Sequence, residues 1–276
     1  MLQSLLLLLL LGLILLAIWG WPLWTRWRRH RLRQRPFPQS WQLILEQQVS
    51  LYHRLPPPLQ QQLREHMQVF LIEKQFIGCN GLVITDEIRI SIAAQACLLL
   101  LNGRGDYFPR LASILVYPHA YQVQVTETLE NHIVQERWEQ RLGESWQQGQ
   151  LLVAWDQVNQ QSLQSNRGHN VILHEFAHQL DQITGSANGV PSLKTAAEQQ
   201  IWTKVFRQAY EQLQDDIRHR RPTVLNPYGA THPAEFFAVA TEAFFERSAS
   251  LQQHHPELYA ELKRFYQLDP AKWSGM

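Results

Sequence analysis

The sequence predicts a helix-rich α+β domain with a small sheet, preceded by one N-terminal transmembrane helix. Three observations lead to this fold class. An apolar run near the amino terminus is long enough to span a bilayer, apolar residues recur at helical spacing through much of the remaining chain, and several short apolar runs have the length of strands. We therefore expect an anchor with an arginine-rich segment at residues 1–38 and one folded domain at residues 39–276.

The predicted membrane span runs from Leu5 to Trp24 and is apolar apart from two glycines and a proline. About 20 helical residues cross the hydrocarbon core. Tryptophans cluster at its carboxyl end, and six arginines follow before residue 36. Because positive charge stays on the cytoplasmic side, this pattern predicts a single-pass protein of the inner membrane with its domain in the cytoplasm. The alternative, a cleavable signal peptide, needs a basic residue before Leu5 and small residues at a cleavage site.

The elements of the domain follow from apolar spacing and from turn residues. Apolar residues at helical spacing predict helices, and a buried apolar run that ends at Asn-Gly predicts one more. Apart from the helices that contain His174 and Glu235, five helices are predicted. They are residues 40–54, 59–70, 87–101, 194–219 and 256–266. Short apolar runs predict strands at residues 82–85, 114–117, 121–125 and 151–155.

Charge and cysteine content narrow the class of protein. The formal net charge of the chain is +1. Six of the 25 basic residues and none of the 24 acidic residues lie in residues 1–40. The rest of the chain therefore has 19 basic and 24 acidic residues, a net charge of −5. A mildly acidic body argues against a nucleic-acid partner, which needs a basic face. Cys79 and Cys97 do not form a disulfide framework, and they fit a reducing compartment.

The pentapeptide His174-Glu175-Phe176-Ala177-His178 is the main chemical signal. Two histidines four residues apart lie on one helical face, where both rings can bind one Zn²⁺. Glu175 points toward the same metal and can take a proton from water there as a general base. Apolar neighbours at helical spacing place the motif on a short buried helix. Asp181 either accepts the second ring N–H of a ligand histidine or caps the helix end. The alternative for the motif is a helix with two core histidines and a surface glutamate.

A catalytic zinc takes three protein ligands and leaves one position for water. Pro233 marks the start of a strongly apolar helix, and Glu235 and Glu242 fall on nearly the same face of it. A carboxylate in so apolar a helix is costly unless it is paired or bound to metal. We predict Glu235 as the third ligand and Glu242 as a partner of a ligand or a substitute ligand. Two solvated surface carboxylates are the alternative.

Longer motifs around these residues carry a resemblance to a known family. They are Asn170–Asp181, Pro233–Val239, Glu73–Phe76 with Gly78, Thr85–Glu87, Ile92–Leu100 and Ile114–Pro118. With these motifs the chain resembles the Mlc titration factor A (MtfA) family of zinc peptidases over roughly residues 40–268. The resemblance implies a zincin-like fold, Glu235 as the third zinc ligand, Tyr228 near the zinc, aminopeptidase-like activity and binding of the glucose repressor Mlc.

Tyr228 also has a physical argument of its own. It lies in the turn-prone stretch Leu225–Gly229, just before the helix that carries Glu235. A phenol at this place can donate a hydrogen bond to the oxyanion that forms when a peptide carbonyl becomes tetrahedral. His232 is a second candidate for this role, and a loop tyrosine with its hydroxyl in solvent is the alternative.

Together these observations predict a membrane-anchored zinc metallopeptidase that faces the cytoplasm and hydrolyses peptides or proteins. His174, His178 and Glu235 hold Zn²⁺, Glu175 is the general base, and Tyr228 stabilises the oxyanion. The alternative is a membrane-tethered binding protein that sequesters an Mlc-like transcriptional repressor and uses zinc structurally. A structural zinc site usually has four protein ligands, so the number of ligands separates the two hypotheses.

Overall fold

The computed structural model of the protein describes residues 4, 20–103, 106–119, 121–128, 134–141, 143–146, 149–163, 169–185 and 187–275. Its helices are α1 at residues 20–33, α2 Gln39–Gln48, α3 Ser50–Arg54, α4 Pro57–Glu73, α5 Asp86–Leu98, α6 Trp155–Leu163, α7 Val171–Asp181, α8 Ala196–Arg218, α9 Pro233–Glu246, α10 Ser248–His254 and α11 Pro256–Tyr266. Its strands are β1 Gln75–Gly78, β2 Ser113–Tyr117, β3 Tyr121–Thr128, β4 Val134–Arg141, β5 Gly143–Trp146 and β6 Gln150–Ala154. The helix-rich α+β part of the predicted fold class is confirmed.

The larger sheet has the strand order β1-β2-β6-β5. Strands β1, β2 and β6 are parallel, with Phe76 opposite Ile114 and Ile114 opposite Leu151, whereas β5 pairs antiparallel with β6. Ile114 and Leu151 have no exposed surface, as expected for a sheet that helices cover. Strands β3 and β4 form a separate antiparallel pair. Among the described strands, β5 is therefore an edge strand of the larger sheet, and it runs antiparallel to its neighbour β6.

Several predicted elements differ from the structure. The predicted strand at residues 82–85 is wrong, because a turn at Asn80 and Gly81, both with positive φ, follows β1, and Thr85 instead caps α5 by accepting from the backbone N–H of Ile88. The strand that pairs in parallel with β2 is Gln75–Gly78. The predicted helix at residues 40–54 is divided at Val49, whose φ of −120° and ψ of 87° are not helical. Strand formation depends on a partner strand, which apolar spacing does not reveal.

The predicted transmembrane helix requires correction. Among the described residues, no helix combines the length and the apolar character that a bilayer crossing demands. Residues 5–19 of the predicted span lie outside the described residues. A span needs about 20 mainly apolar residues, whereas α1 over residues 20–33 contains five arginines. The finding overturns the single-pass anchor and, with it, the placement of the domain at the inner membrane.

Helix α1 packs on the body through what we call the α1 clamp, formed by Arg29 and Arg33 of α1 with Glu73 and Tyr107. The Arg29 guanidinium donates to both carboxylate oxygens of Glu73, each at 2.9 Å, and lies 4.8 Å from the centroid of the Tyr107 ring. Arg33 donates to the Tyr107 hydroxyl at 2.8 Å, and that hydroxyl donates to Nδ1 of the buried His66 at 2.8 Å. Arginine's planar fork suits such bidentate and stacked contacts.

Helix α7 lies in the core between the amino-terminal helices and α9. Phe176 packs its ring 4.7 Å from that of Phe108 and 5.7 Å from that of Phe70 in α4. On the other side of the core, Trp202 of α8 lies 5.7 Å from Phe237 of α9. Close-packed aromatic contacts of this kind restrict movement of the helices that carry them. The two helices with the predicted metal ligands are therefore held in a rigid setting.

Candidate metal centre

The pentapeptide lies on a buried, well-capped helix, as predicted. Asn170 precedes α7 and its side-chain oxygen accepts from the backbone N–H of Leu173 at 3.0 Å, which satisfies one of the free N–H groups at the helix start. Every residue of α7 is buried, including His174, Glu175 and His178, which are 6–8% exposed. Since polar side chains are rarely this buried without partners, these three require specific interactions.

Three of the predicted residues converge on one point, and we call their atoms the donor group: Nε2 of His174, Nε2 of His178 and Oε2 of Glu235. The His174 nitrogen lies 2.9 Å from the Glu235 oxygen and 3.2 Å from the His178 nitrogen, and the His178 nitrogen lies 3.4 Å from the Glu235 oxygen. Among the described residues, the group has these three members. Sixty-one residues of sequence separate His174 from Glu235, so the fold brings them together.

The start of α9 places Glu235 in this group. His232 precedes the helix, and its Nδ1 accepts from the backbone N–H of Ala234 at 3.2 Å. Pro233 occupies the first turn, where a missing N–H has no cost. Glu235 then projects from the first turn toward α7, with 22% of its side chain exposed. His232 thus acts as the helix cap.

The donor group fits a metal ion. For donors at about 2.0–2.1 Å from a tetrahedral zinc ion, two donors lie about 3.3–3.4 Å apart. The three observed separations of 2.9, 3.2 and 3.4 Å are close to this value. Two imidazole nitrogens and one carboxylate oxygen are also a donor set that suits divalent transition metals. The geometry and the chemistry of these side chains therefore agree with a metal site.

Glu242 lies behind His174 and is fully buried. Its Oε1 accepts from Nδ1 of His174 at 2.7 Å, and its Oε2 accepts from the backbone N–H of Asn170 at 2.5 Å and from Nδ1 of His169 at 3.2 Å. Because Glu242 holds the proton on Nδ1 of His174, Nε2 is the nitrogen that faces the donor group and that can offer its lone pair to a metal ion. Of the two roles considered for Glu242, this position matches the partner of a ligand.

Opposite charges set the protonation of the site. Burial disfavours the charged carboxylate of Glu242, but hydrogen bonds from His169 and His174 outweigh burial and lower its pKa. Burial likewise disfavours the charged form of Glu235, and hydrogen bonds from His174 and His178 lower its pKa. Burial also disfavours the imidazolium of His174, yet its hydrogen bonds to Glu235 and Glu242 raise its pKa. A metal ion must displace that proton, so metal binding weakens as pH falls.

Tyr228 lies beside the donor group at its exposed side. It belongs to a 3₁₀ turn, Pro227–Ala230, where its backbone N–H donates to the side chain of Asn226 at 3.0 Å. The centroid of its ring is 6.1 Å from that of His174, and 55% of Tyr228 is exposed. Glu175 is buried next to His174, and its charge helps to raise the pKa of that histidine. Both residues therefore lie close to His174, one through its ring and the other through its charge.

Two further residues have positions that sequence spacing alone does not indicate. Asp181 accepts from the backbone N–H of Gly189 at 2.8 Å, so its carboxylate holds the loop that follows α7. His169 contacts Glu242 across 73 residues of sequence, and our sequence analysis missed it. A lone histidine before a helix has no local signal that predicts such a distant partner.

Comparison with known proteins agrees with this geometry. Residues 24–267 match the glucose-regulated metallo-peptidase M90 family. The chain belongs to this family. An uncharacterised protein from Synechocystis sp. is 47% identical over 262 residues, which cover 95% of each chain. Mlc titration factor A of Serratia proteamaculans is 30% identical over 91% of this chain and 93% of its own length, and that of Yersinia pestis is 29% identical over 80% and 82%. The predicted resemblance to the MtfA family is confirmed, and the M90 match identifies a metallopeptidase family.

Proposed function

We propose that this M90 family member is a zinc-dependent peptidase in which His174, His178 and Glu235 hold the ion. The observation that carries the proposal is the convergence of the three donor atoms within 3.4 Å of one another. When bound, zinc supplies Lewis-acid polarisation of the scissile carbonyl and makes water more acidic. Three protein ligands leave one position for chemistry, as in catalytic zinc sites.

Glu175 and Tyr228 have complementary roles in the proposed reaction. The Glu175 carboxylate accepts a proton from the attacking water and then gives it to the leaving amine. Burial of Glu175, at 6% exposure, keeps bulk water from competing for that proton. The Tyr228 hydroxyl donates a hydrogen bond to the developing oxyanion. Tyr228 is 55% exposed and its ring lies 6.1 Å from that of His174, so a substrate carbonyl that enters from solvent can reach it.

Glu242 orients His174 in this proposal. Its carboxylate holds Nδ1–H of His174 and also the backbone N–H of Asn170 at the start of α7. One side chain of α9 therefore fixes the tautomer of a ligand and the end of the helix that carries it. Partners of this kind raise the basicity of a metal-bound histidine and restrict its rotation.

The substrate backbone has a candidate docking strand in β5. This strand lies at the end of the order β1-β2-β6-β5, runs antiparallel to β6, and contacts α7. An extended peptide can add to such an edge through main-chain hydrogen bonds. This arrangement supports a peptide or protein substrate, and the family resemblance favours aminopeptidase-like cleavage.

The variant Glu175→Gln tests the mechanism. We expect it to keep stoichiometric zinc while hydrolysis of small peptide and aminoacyl substrates falls by at least about a thousandfold. Zinc is measured by elemental analysis of the purified protein and turnover by release of a chromophoric amine. Glu46→Gln on α2, at an exposed carboxylate, is the matched control and keeps full activity. Turnover retained in Glu175→Gln contradicts the assignment of the base.

A second candidate function is the binding of a transcriptional regulator. The observation in its favour is the name of two relatives that match most of this chain, Mlc titration factor A. A fourth protein ligand on the metal would indicate a structural ion and would favour this binding role. The donor group has three members among the described residues, which favours catalysis. Binding of an Mlc-like repressor to the inactive Glu175→Gln protein, measured by calorimetry, shows whether the two functions coexist.

A further inference from the structure

We infer that Gly189 is a positioning residue that sets the separation of α7 and α9 at the metal centre. The inference rests on the proposed zinc site and adds a residue that touches no ligand atom. Gly189 lies in the loop after α7 and has a φ of +78°, a conformation in which side chains cause strain. Its sequence context, Ala187-Asn188-Gly189-Val190, is an ordinary turn and does not suggest contact with a helix that begins 44 residues later.

Gly189 lies directly against the first turn of α9. A Cβ atom added to it would overlap the carbonyl oxygen of Pro233, would lie 2.9 Å from the carbonyl carbon of that residue and 3.5 Å from the backbone nitrogen of Ala234. These neighbours are backbone atoms, so no side-chain rotation can relieve the overlap. Only glycine permits the loop and the helix start to approach this closely.

Two buried side chains hydrogen-bond to the backbone of Gly189 and hold it in place. Its N–H donates to Oδ2 of Asp181 at 2.8 Å, and its carbonyl oxygen accepts from Nε1 of Trp202 at 2.9 Å. Asp181, the last residue of α7, has no exposed surface, and Trp202 of α8 is 1% exposed. The loop is therefore fixed to the end of α7 and to α8 before it meets α9.

This chain of contacts ends at a metal ligand. Glu235 lies two residues beyond Pro233, and its Oε2 must stay within hydrogen-bond distance of His174 and near His178. A side chain at position 189 would push the first turn of α9 away from α7, since the anchored loop cannot retreat. The displaced Glu235 would then bind the ion less well than it does in the protein with glycine at position 189.

The test compares Gly189→Ala with Gly81→Ala in the full-length protein. Gly81 has nearly the same φ, +79°, but a Cβ atom there meets nothing within 4 Å, so the control introduces the same backbone strain without the overlap. Zinc affinity is measured by competition with a chromophoric chelator, and the melting temperature is measured on zinc-free protein. We expect Gly189→Ala to weaken zinc binding on the order of tenfold and to alter the visible spectrum of the Co²⁺ form. Gly81→Ala should retain the affinity and spectrum of the unsubstituted protein.

The inference is overturned if the zinc affinity of Gly189→Ala stays within about twofold of that of the unsubstituted protein, or if Gly81→Ala loses zinc affinity equally.

If Gly189→Ala does not fold, Trp202→Phe removes the donor to the Gly189 carbonyl, and Phe206→Leu on the same helix is the control for lost packing. Weaker zinc binding in Trp202→Phe than in Phe206→Leu supports the inference, and equal binding overturns it. Failure of the unsubstituted protein to bind zinc instead refutes the proposed function, which separates the two results.

Discussion

The metal centre and the α1 clamp are both clusters of charged side chains between helices, but they differ in depth and in how the charges are arranged. At the metal centre, Glu242 is wholly buried, and the donor atoms of the two histidines and Glu235 face a single point. In the α1 clamp, the side chains of Arg29 and Glu73 are 18% and 13% exposed. Arg29 also pairs with Asp106, whose side chain is 69% exposed. The donor atoms of the buried cluster converge on one point that can hold a metal ion, whereas the clamp joins two surfaces.

This difference explains why one cluster was predicted and the other was not. Two histidines four residues apart must share a helical face wherever the helix lies. An arginine in α1 has no such constraint, because its long side chain pairs with whichever acid the fold places opposite it. The arginines of residues 20–33 therefore suggested a membrane boundary, whereas the structure pairs Arg29 with Glu73 and Arg33 with Tyr107.

Burial disfavours the charged form of Arg29 in the clamp and of His66 beside it, but the net pKa shifts of the two residues are opposite. Burial opposes the charged form of Arg29, but hydrogen bonds to Glu73 and Asp106 outweigh it and raise the pKa of the guanidinium. Burial lowers the pKa of His66 to about 4, and the charge of Arg33 contributes to this shift. His66 is thus kept neutral near Arg33, and it can accept the hydrogen bond of Tyr107.

The largest expected effect separates catalysis from stability at the metal centre. Tyr228→Phe keeps the ring beside His174 but removes the proposed oxyanion donor, so kcat should fall by about 10²–10³, equivalent to roughly 3–4 kcal/mol. Because Tyr228 is 55% exposed, zinc affinity and the free energy of unfolding should not change. Steady-state kinetics and chelator competition measure these quantities. A variant with normal kcat would show that the hydroxyl has no catalytic role.

The next effect concerns the pH dependence of stability at His66, which contacts the clamp through Tyr107. His66 has a pKa of about 4 in the folded protein against 6.5 in the reference state, so the unfolded state binds more protons between these values. Stability from this residue is complete above pH 6.5 and is lost as pH falls toward 4, by about 3 kcal/mol in total. Denaturant unfolding of the protein and of His66→Gln across this range measures the contribution. Parallel pH profiles for the two proteins would contradict it.

The smallest effect tests the ion pair of the clamp. Arg29→Ala should lower the free energy of unfolding by about 1 kcal/mol, since the pair with Glu73 is only partly buried and is screened by solvent. Arg31→Ala, at an exposed arginine that stacks 5.1 Å from the centroid of Trp27, is the control and should change stability by less than about 0.5 kcal/mol. Zinc affinity should be unaffected in both variants. A loss of zinc binding in Arg29→Ala would show that the α1 clamp and the metal centre are coupled.

The predictions from sequence succeeded where neighbours along the chain determine geometry. Helix α7 and the turn before α9 were anticipated because apolar spacing and Pro233 are local signals. The strand at residues 82–85 was wrong because pairing with β2 decides which apolar segment becomes a strand. Nor did any local pattern indicate that Gly189 would meet the first turn of α9, since that contact depends on Asp181 and Trp202 together.

The amino-acid sequence by itself determined the type of chemistry, because the spacing of His174, Glu175 and His178 on a helix puts two ring nitrogens and a carboxylate on adjacent faces. It also identified Glu235 as a carboxylate in need of a partner within an apolar helix. Only the tertiary structure decided that Glu242 orients His174, that Glu235 completes the donor group, and that α1 binds to the body through arginines. The physical reason is distance along the chain: helical periodicity extends over a few residues, whereas these contacts join residues 44 to 77 positions apart.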